Sequence, residues 1–158
     1  MKRLLRRFIP LFAAVLVAPA VAHQYQLGKL VIGHPWSRAT PAGMSTGVAY
    51  LVITNKGTEA EVLTGASSPA AASVQFHETT ISEGMARMRP LTGIAIAPGA
   101  TVRIEPGAIH LMLIDLKAPL EPGKPVPLTL EFRKAGSITV QLAIQALDAA
   151  PTPAHSPP

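Results

Sequence analysis

Two histidines and two methionines are the residues of this chain whose types and spacing could do chemistry. His77, Met88, His110 and Met112 are separated by ten, twenty-one and one intervening residues. Thioether sulfur is a soft, uncharged donor, and neutral imidazole is a borderline one. Together they suit Cu(I) and are poor ligands for Mg²⁺ or Ca²⁺, which prefer oxygen. The sequence therefore predicts a soft-metal site built from these four side chains.

Further donors lie near this set or at the chain ends. Met85 is three residues before Met88 and would face away from it in a strand, so we interpret it as a packing residue or a peripheral donor. If a leader is removed after Ala22, His23 carries a free α-amine and an imidazole on one residue, a pair that can bind Cu(II). His155 in the tail is another nitrogen donor. The alternative for His23 is a terminus without an assigned role.

The N-terminal segment has the pattern of an export signal. Lys2, Arg3, Arg6 and Arg7 precede an apolar run that begins at Phe8, and the run ends in the small-x-small sequence Ala-Val-Ala at residues 20–22. This pattern predicts a signal peptide over residues 1–22, followed by export from the cytoplasm. The alternative is an uncleaved membrane anchor. The run holds two prolines and is shorter than the ~20 apolar residues needed to span a bilayer, so we expect no stable membrane insertion.

Charge and composition argue against several classes of protein. The sequence pI is about 10.0, but four of the 14 basic residues lie in the predicted signal, and the other ten nearly balance nine acidic residues. Without a basic patch interleaved with aromatic residues, nucleic-acid binding is not expected. There is no cysteine, which argues against a blue-copper electron carrier, a cysteine nucleophile and lipid attachment to cysteine. No nucleophile-elbow, phosphate-loop or His-Glu-x-x-His motif is present, and we expect no enzyme.

Short alternating segments separated by turn residues predict an all-β fold. Apolar and polar side chains alternate over Val126–Phe132 and over Ser137–Ala146. After the signal, no stretch has the 3.6-residue period of an amphipathic helix. About eight short strands at regular spacing predict a β-sandwich or barrel. We place one domain at residues 23–147 and a Pro-rich, disordered tail at residues 148–158.

The same pattern positions the four donors. Residues 72–79 and 85–91 form a predicted hairpin, which puts His77 within cross-strand reach of Met88. His110 and Met112 are two residues apart in another predicted strand and therefore share a face. The sequence predicts a partly exposed site at the edge of the sandwich, where a partner could reach the metal.

The donor spacing resembles the His-x10-Met-x21-His-x-Met signature of the periplasmic copper chaperones called PCuAC. The segment HPWSRATPAGMSTGVAYLVITN (His34–Asn55) is similar to the beginning of that family's domain, and PGAIHLMLIDLKAPLEPGKPVPLTLEF (Pro106–Phe132) is similar to its second half. The resemblance extends from about Leu27 to Leu147. The family often has Met directly after the first His, where this chain has Glu78. The resemblance implies a cupredoxin-like Greek-key β-sandwich.

The resemblance also implies an exported chaperone that binds Cu(I) and delivers it to an apo-protein. The implied acceptor is the dinuclear copper centre of cytochrome c oxidase or another copper carrier. Two alternatives stay open at this point. One is a periplasmic copper sequestration or resistance protein without a dedicated acceptor. The other is a secreted Ig-like interaction module that binds no metal.

Overall fold

The described part of the chain contains eleven β-strands. The computed structural model describes residues 24–82 and 84–149. Its strands are β1 (Gln24–Leu27), β2 (Leu30–Arg38), β3 (Thr46–Asn55), β4 (Glu61–Ser67), β5 (Ala71–Ser82), β6 (Met85–Leu91), β7 (Ile94–Ile96), β8 (Thr101–Ile104), β9 (Ile109–Leu116), β10 (Val126–Phe132) and β11 (Gly136–Gln145). The predicted signal and residues 150–158 of the predicted tail lie outside the described residues. No helix long and apolar enough to cross a bilayer occurs among the described residues.

The all-β sandwich is confirmed, but the expected number of about eight strands is wrong. The four residues of β1 and the three of β7 are too few to show an alternating pattern. The His-Pro-Trp segment is also different from the turn that its sequence suggests. It lies inside β2 as a bulge between Gly33 and Trp36, and His34 there has a φ of 50°. A bulge inserts an unpaired residue and bends the strand without ending it.

The strands form two layers that share β11. The larger sheet has the order β6-β5-β9-β3-β2, with β1 on β2 and β8 beside β9 on the same edge of β3. The smaller sheet has the order β11-β10-β4-β7. The first part of β11 pairs with β10, and its last residues, from Ala143 to Gln145, pair parallel to β2. All other strand pairs are antiparallel.

The core lies between the layers and takes every second residue of the central strands. In β3, Ala49, Leu51 and Ile53 are buried, while the alternate residues Val48 and Tyr50 point to the other side. The smaller sheet contributes Leu63, Leu128, Leu130, Phe132, Val140 and Leu142 to the same apolar cluster. The other side of the larger sheet has no second layer in the described residues. We call it the outer face.

The end of the sandwich beyond β3 is closed by buried polar groups. The carboxylate of Glu61 is 6% exposed and accepts three backbone N–H groups, from Val62 at 2.8 Å, Lys134 at 3.1 Å and Ala135 at 2.8 Å. The Asn55 side chain donates to the carbonyls of residues 59 and 96 and accepts the N–H of residue 57. We call these two side chains and their partners the Glu61 cluster. They line one side of an open cleft of about 370 Å³.

Candidate metal centre

The pairing of β5 with β9 brings the two predicted histidine donors together. His77 lies directly opposite His110 in the antiparallel register. Their ring centroids are 6.0 Å apart, with an angle of 34° between the ring planes. Directly opposite residues in an antiparallel pair point to the same face of the sheet. A single ion above this pair could therefore contact one nitrogen from each ring.

The two methionines lie on the same face as the histidines. Met112 is opposite Gln75 on β5, two residues from His77. Met88 is opposite Thr79, two residues from His77 in the other direction. Because side chains two residues apart share a face, all four predicted donors project from the outer face of the larger sheet. The pairing of β5 with β9 and the pairing of β5 with β6 each place a methionine on the same face as His77.

Met88 stands diagonally from His77 and not directly across from it. The residue directly opposite His77 on β6 is Pro90. Diagonal neighbours in an antiparallel pair are about 7–8 Å apart, which a long, unbranched side chain can still bridge. Met88 is 56% exposed, whereas Met112 is half-buried. The predicted site therefore has a fixed part on β9 and an accessible part on the hairpin.

The His110 ring is oriented by the backbone of its own strand. Its side chain is 6% exposed, and Nδ1 lies 3.1 Å from the carbonyl oxygen of Ala108. A carbonyl only accepts hydrogen bonds, so Nδ1 carries the proton and Nε2 keeps its lone pair. Metal-binding histidines commonly use this arrangement, in which the second nitrogen donates to a carbonyl and fixes the ring.

The His77 ring has a side-chain partner in place of a carbonyl. Its Nε2 lies 3.1 Å from Oε1 of Gln75, an acceptor two residues earlier on the same strand face. In this arrangement Nε2 donates and Nδ1 keeps its lone pair. Gln75 also lies opposite Met112. It therefore sits between two predicted donors and orients one of them.

Sequence reasoning missed Gln75 and the Ala108 carbonyl. Both lie two residues before a predicted histidine donor, which is the position where a strand places a neighbour on the same face. That offset is a usable signal for Gln75. The role of the Ala108 carbonyl depends on the turn before β9 and has no side-chain signature.

The remaining predicted donors are separate from this group. Met85 pairs with Ser82 and faces the opposite side of the hairpin from Met88, and it is 54% exposed. His23 and His155 lie outside the described residues. Among the residues that the structure describes, no three His, Cys, Asp or Glu side chains form a metal-binding group.

Glu78 stands on the side of β5 that faces away from the donors. It lies next to His77 in the strand and accepts a hydrogen bond from Nε of Arg89 at 2.8 Å. A methionine at position 78 would also face away from the histidine pair, because adjacent strand residues alternate between faces. This departure from the PCuAC pattern leaves the four donors unchanged.

Two aromatic side chains continue the outer face beside the histidines. Tyr50 follows Val48, whose partner on β9 is Met112. The rings of Trp36 and Tyr50 are 4.6 Å apart between centroids, and the Arg38 guanidinium lies 5.7 Å from the Trp36 centroid. Burial raises the pKa of the Tyr50 hydroxyl, and the positive charge of Arg38 opposes that shift.

Comparison with known proteins shows both a family and a set of similar structures. Residues 30–144 match the family described as "Putative lipoprotein LpqE-like". The "Putative lipoprotein Lxx21020" of Leifsonia xyli subsp. xyli (strain CTCB07) is 33% identical over 134 residues, which cover 84% of this chain and 80% of that protein.

The similar solved structures include copper-bound domains. The copper-bound PCuAC domain from PmoF2 has a TM-score of 0.68 and 32% identity, with 78% of this chain and 98% of that chain covered. The solution structure of Cu(I)-DR1885 from Deinococcus radiodurans has a TM-score of 0.56 and 27% identity, with coverage of 80% and 83%.

Proposed function

The chain belongs to the LpqE-like family, and from that premise we propose that it is an exported carrier that binds Cu(I) and delivers it to an apo-protein. Copper binding is supported by similarity to a copper-bound PCuAC domain and to a Cu(I)-bound protein of the same fold. We assign His77, Met88, His110 and Met112 as the ligands. The observation that carries this assignment is the placement of all four on one face around the opposed histidine pair.

The donor chemistry fits a cargo that must be taken up and released. All four ligands are uncharged when the imidazoles are neutral, so the bound ion keeps its single positive charge. A buried unpaired charge is costly, and this group lies on an uncovered sheet face with Met88 exposed. A partner's ligand can therefore reach the ion before the carrier's own thioether leaves. These features suit a carrier better than a catalyst.

We further propose the periplasm as the compartment and the copper centre of cytochrome c oxidase, or another copper carrier, as the acceptor. The relative from Leifsonia xyli and the matching family are both described as lipoproteins, which are exported proteins. This 158-residue chain has no cysteine to carry a lipid. Export would here depend on the predicted signal at residues 1–22, which leaves the carrier free of the membrane.

Titration with Cu(I) against a competing chelator tests the ligand assignment. Wild type is compared with Met88→Ala and with Met85→Ala, two exposed methionines on opposite faces of the same hairpin. We expect wild type to bind one ion per chain. The Cu(I) affinity of Met88→Ala should be lower by roughly 100-fold or more, because the loss of an outer-shell partner alone costs about 10–100-fold in affinity. Met85→Ala should bind as wild type does. Equal effects of the two substitutions would remove Met88 from the site.

We also propose that His23 forms a secondary Cu(II) site if cleavage follows Ala22. His23 lies outside the described residues, but Gln24, which follows it, pairs with Gly33, and His34 comes next on that partner strand. The described structure thus has a second imidazole one residue from the first strand pair. Electron paramagnetic resonance of Cu(II) added to a chain beginning at His23 should show nitrogen ligands. Adding one alanine before His23 turns the His23 α-amine into a peptide nitrogen and moves the free amine to the alanine, so the set of nitrogen ligands should change. An unchanged spectrum would rule the site out.

A further inference from the structure

Two arginines, Arg38 and Arg103, lie on the outer face near the donors. From β3 and β8 across β9 to β5 and β6, the outward-facing residues near the donors are neutral except for Arg103, which lies opposite Val52. On the far side of β3, β2 adds Arg38. Among the described residues, the acids nearest along the chain to a donor are Glu78, which faces away and pairs with Arg89, and two further carboxylates. These are Asp115, which is exposed at an irregular point of β9 where its φ is 52°, and Glu105, in the turn after β8.

Among the described residues, neither arginine forms an ion pair. The guanidinium of Arg38 donates Nη1–H to the backbone carbonyls of Ala146, Leu147 and Ala149, at 3.3, 3.0 and 2.9 Å. Those acceptors hold the side chain in place and leave its charge uncompensated. Arg103 is exposed and has no ion pair within residues 24–82 and 84–149. Arg103 is therefore available to a partner, and Arg38 adds a fixed, half-buried positive charge.

The register places both arginines close to the donors. Arg38 on β2 and Met112 on β9 lie on either side of Val48 in β3, and the two strand spacings between them amount to roughly 10 Å. Arg103 lies opposite Val52, four residues along β3 from Val48, or roughly 13 Å. These distances are comparable to the screening length of about 8 Å at physiological salt. A bound Cu(I) ion would add a third positive charge to the same face.

The other side of the donor group is apolar. The outer face of the hairpin carries Ile81, which is 77% exposed, next to Ala86 and Met88. Within the part of the chain that the structure describes, no third strand lies beside the hairpin beyond the pairing of Glu78 with residue 109. The donors thus lie between two arginines on one side and an exposed apolar arm on the other.

We propose that this face docks the copper acceptor through an anionic contact surface. Carboxylates of the acceptor would lie opposite Arg38 and Arg103, while an apolar part of it would cover Ile81 and Met88. This inference rests on the proposed carrier function and adds the chemistry of the partner. Opposite charge on an acceptor speeds encounter and fixes its orientation over the ion.

Two other occupants fit the face less well. A second copy of the chain would oppose two cationic faces, and like charges in an interface are unfavourable. An anionic membrane is typically recognised by clusters of four to eight Lys or Arg, and this face has two arginines. An acidic protein surface needs only a few matched charges, and the arginine fork suits carboxylates.

Stopped-flow copper transfer tests the proposal. The Cu(I)-loaded protein is mixed with the copper-free soluble domain that carries the dinuclear copper centre of cytochrome c oxidase. Arg103→Glu should slow second-order transfer by roughly 10-fold at low salt, and added salt should shrink the difference. The matched control is Arg133→Glu, an exposed arginine of the smaller sheet's turn, which should change the rate less than about 2-fold.

The readouts separate this proposal from the carrier function. If wild type binds no Cu(I) in the chelator titration, the carrier function itself is overturned. Normal binding with equal rates for the two arginine variants, or with no salt dependence, would overturn only the docking face. Ile81→Ser tests the apolar side and should also slow transfer without weakening Cu(I) binding. Sedimentation with anionic vesicles that Arg103→Glu abolishes would assign the face to lipid and overturn the proposal.

Discussion

The histidine pair and the Glu61 cluster use buried or half-buried polar groups in opposite ways. In the Glu61 cluster, both carboxylate oxygens and the Asn55 amide have backbone partners. In the histidine pair, the described hydrogen bonds engage one nitrogen of each ring, and the two rings lie on a common face. A polar group whose bonds are all internal stabilises the fold. A group that keeps an open lone pair beside soft donors is arranged for a ligand.

The largest difference between the two regions is expected when one imidazole ring of the histidine pair is removed. His77→Ala should weaken Cu(I) binding by more than about 100-fold, because it removes a ligand and not merely an outer-shell partner. Its side chain is half-buried and lies on an uncovered face, so the free energy of unfolding should change by less than about 1 kcal/mol. Chelator competition and chemical denaturation measure the two quantities. A large loss of stability with intact binding would reverse the roles of the two regions.

The converse change is Glu61→Gln, which should lower stability and leave Cu(I) binding unchanged. Glutamine keeps one acceptor oxygen where the carboxylate uses two, so at least one backbone N–H of the cluster loses its partner. An unsatisfied buried donor costs about 1–3 kcal/mol. Denaturation at neutral pH measures the loss. Weaker copper binding in this variant would mean that the two regions are coupled.

The pH dependence of stability should change in the same variant. Burial alone would raise the pKa of Glu61, but the N–H groups of Val62, Lys134 and Ala135 outweigh burial and hold that pKa below its ordinary value of 4.5. A lowered folded-state pKa gives stability that is present above the ordinary value and lost as the pH falls through the lowered one. Glu61→Gln should remove this part of the acid transition. An identical acid profile in both proteins would contradict the assigned role.

A smaller effect is expected from the side chain that orients His77. Gln75→Leu removes the hydrogen bond to Nε2 and keeps a similar volume, so Cu(I) affinity should fall roughly 10-fold through loss of ring orientation. Gln75→Asn is the matched variant, since it keeps an amide but shortens its reach. Gln75→Leu binding as tightly as wild type would show that Gln75 does not position the ring.

The smallest effect should come from the ion pair on the far side of the hairpin. Arg89 is mostly exposed and pairs with Glu78 away from the donors, and exposed ion pairs contribute about 0–1 kcal/mol. Arg89→Ala should therefore leave Cu(I) affinity within about 2-fold and stability within about 0.5 kcal/mol. A marked loss of affinity would show that this pair holds Met88 in position.

Local patterns in the sequence were sufficient for some parts of the site. Residues 72–79 and 85–91 predicted a hairpin, and the i, i+2 spacing predicted that His110 and Met112 share a face. The bulge at His34 was missed, because Pro35 reads as the end of a strand in sequence alone. The three residues of β7 were missed because so short a segment carries no period.

The sequence by itself determined the donor types, their spacing and the alternating strands that carry them, since these depend on residue chemistry and on neighbours along the chain. Only the tertiary structure decided that β5 lies between β6 and β9, and therefore that His77 stands opposite His110 and diagonal to Met88. Pairing between distant strands depends on how both layers share one core, which short-range periodicity does not encode. The pairing of β8 with β3 put Arg103 near the donors.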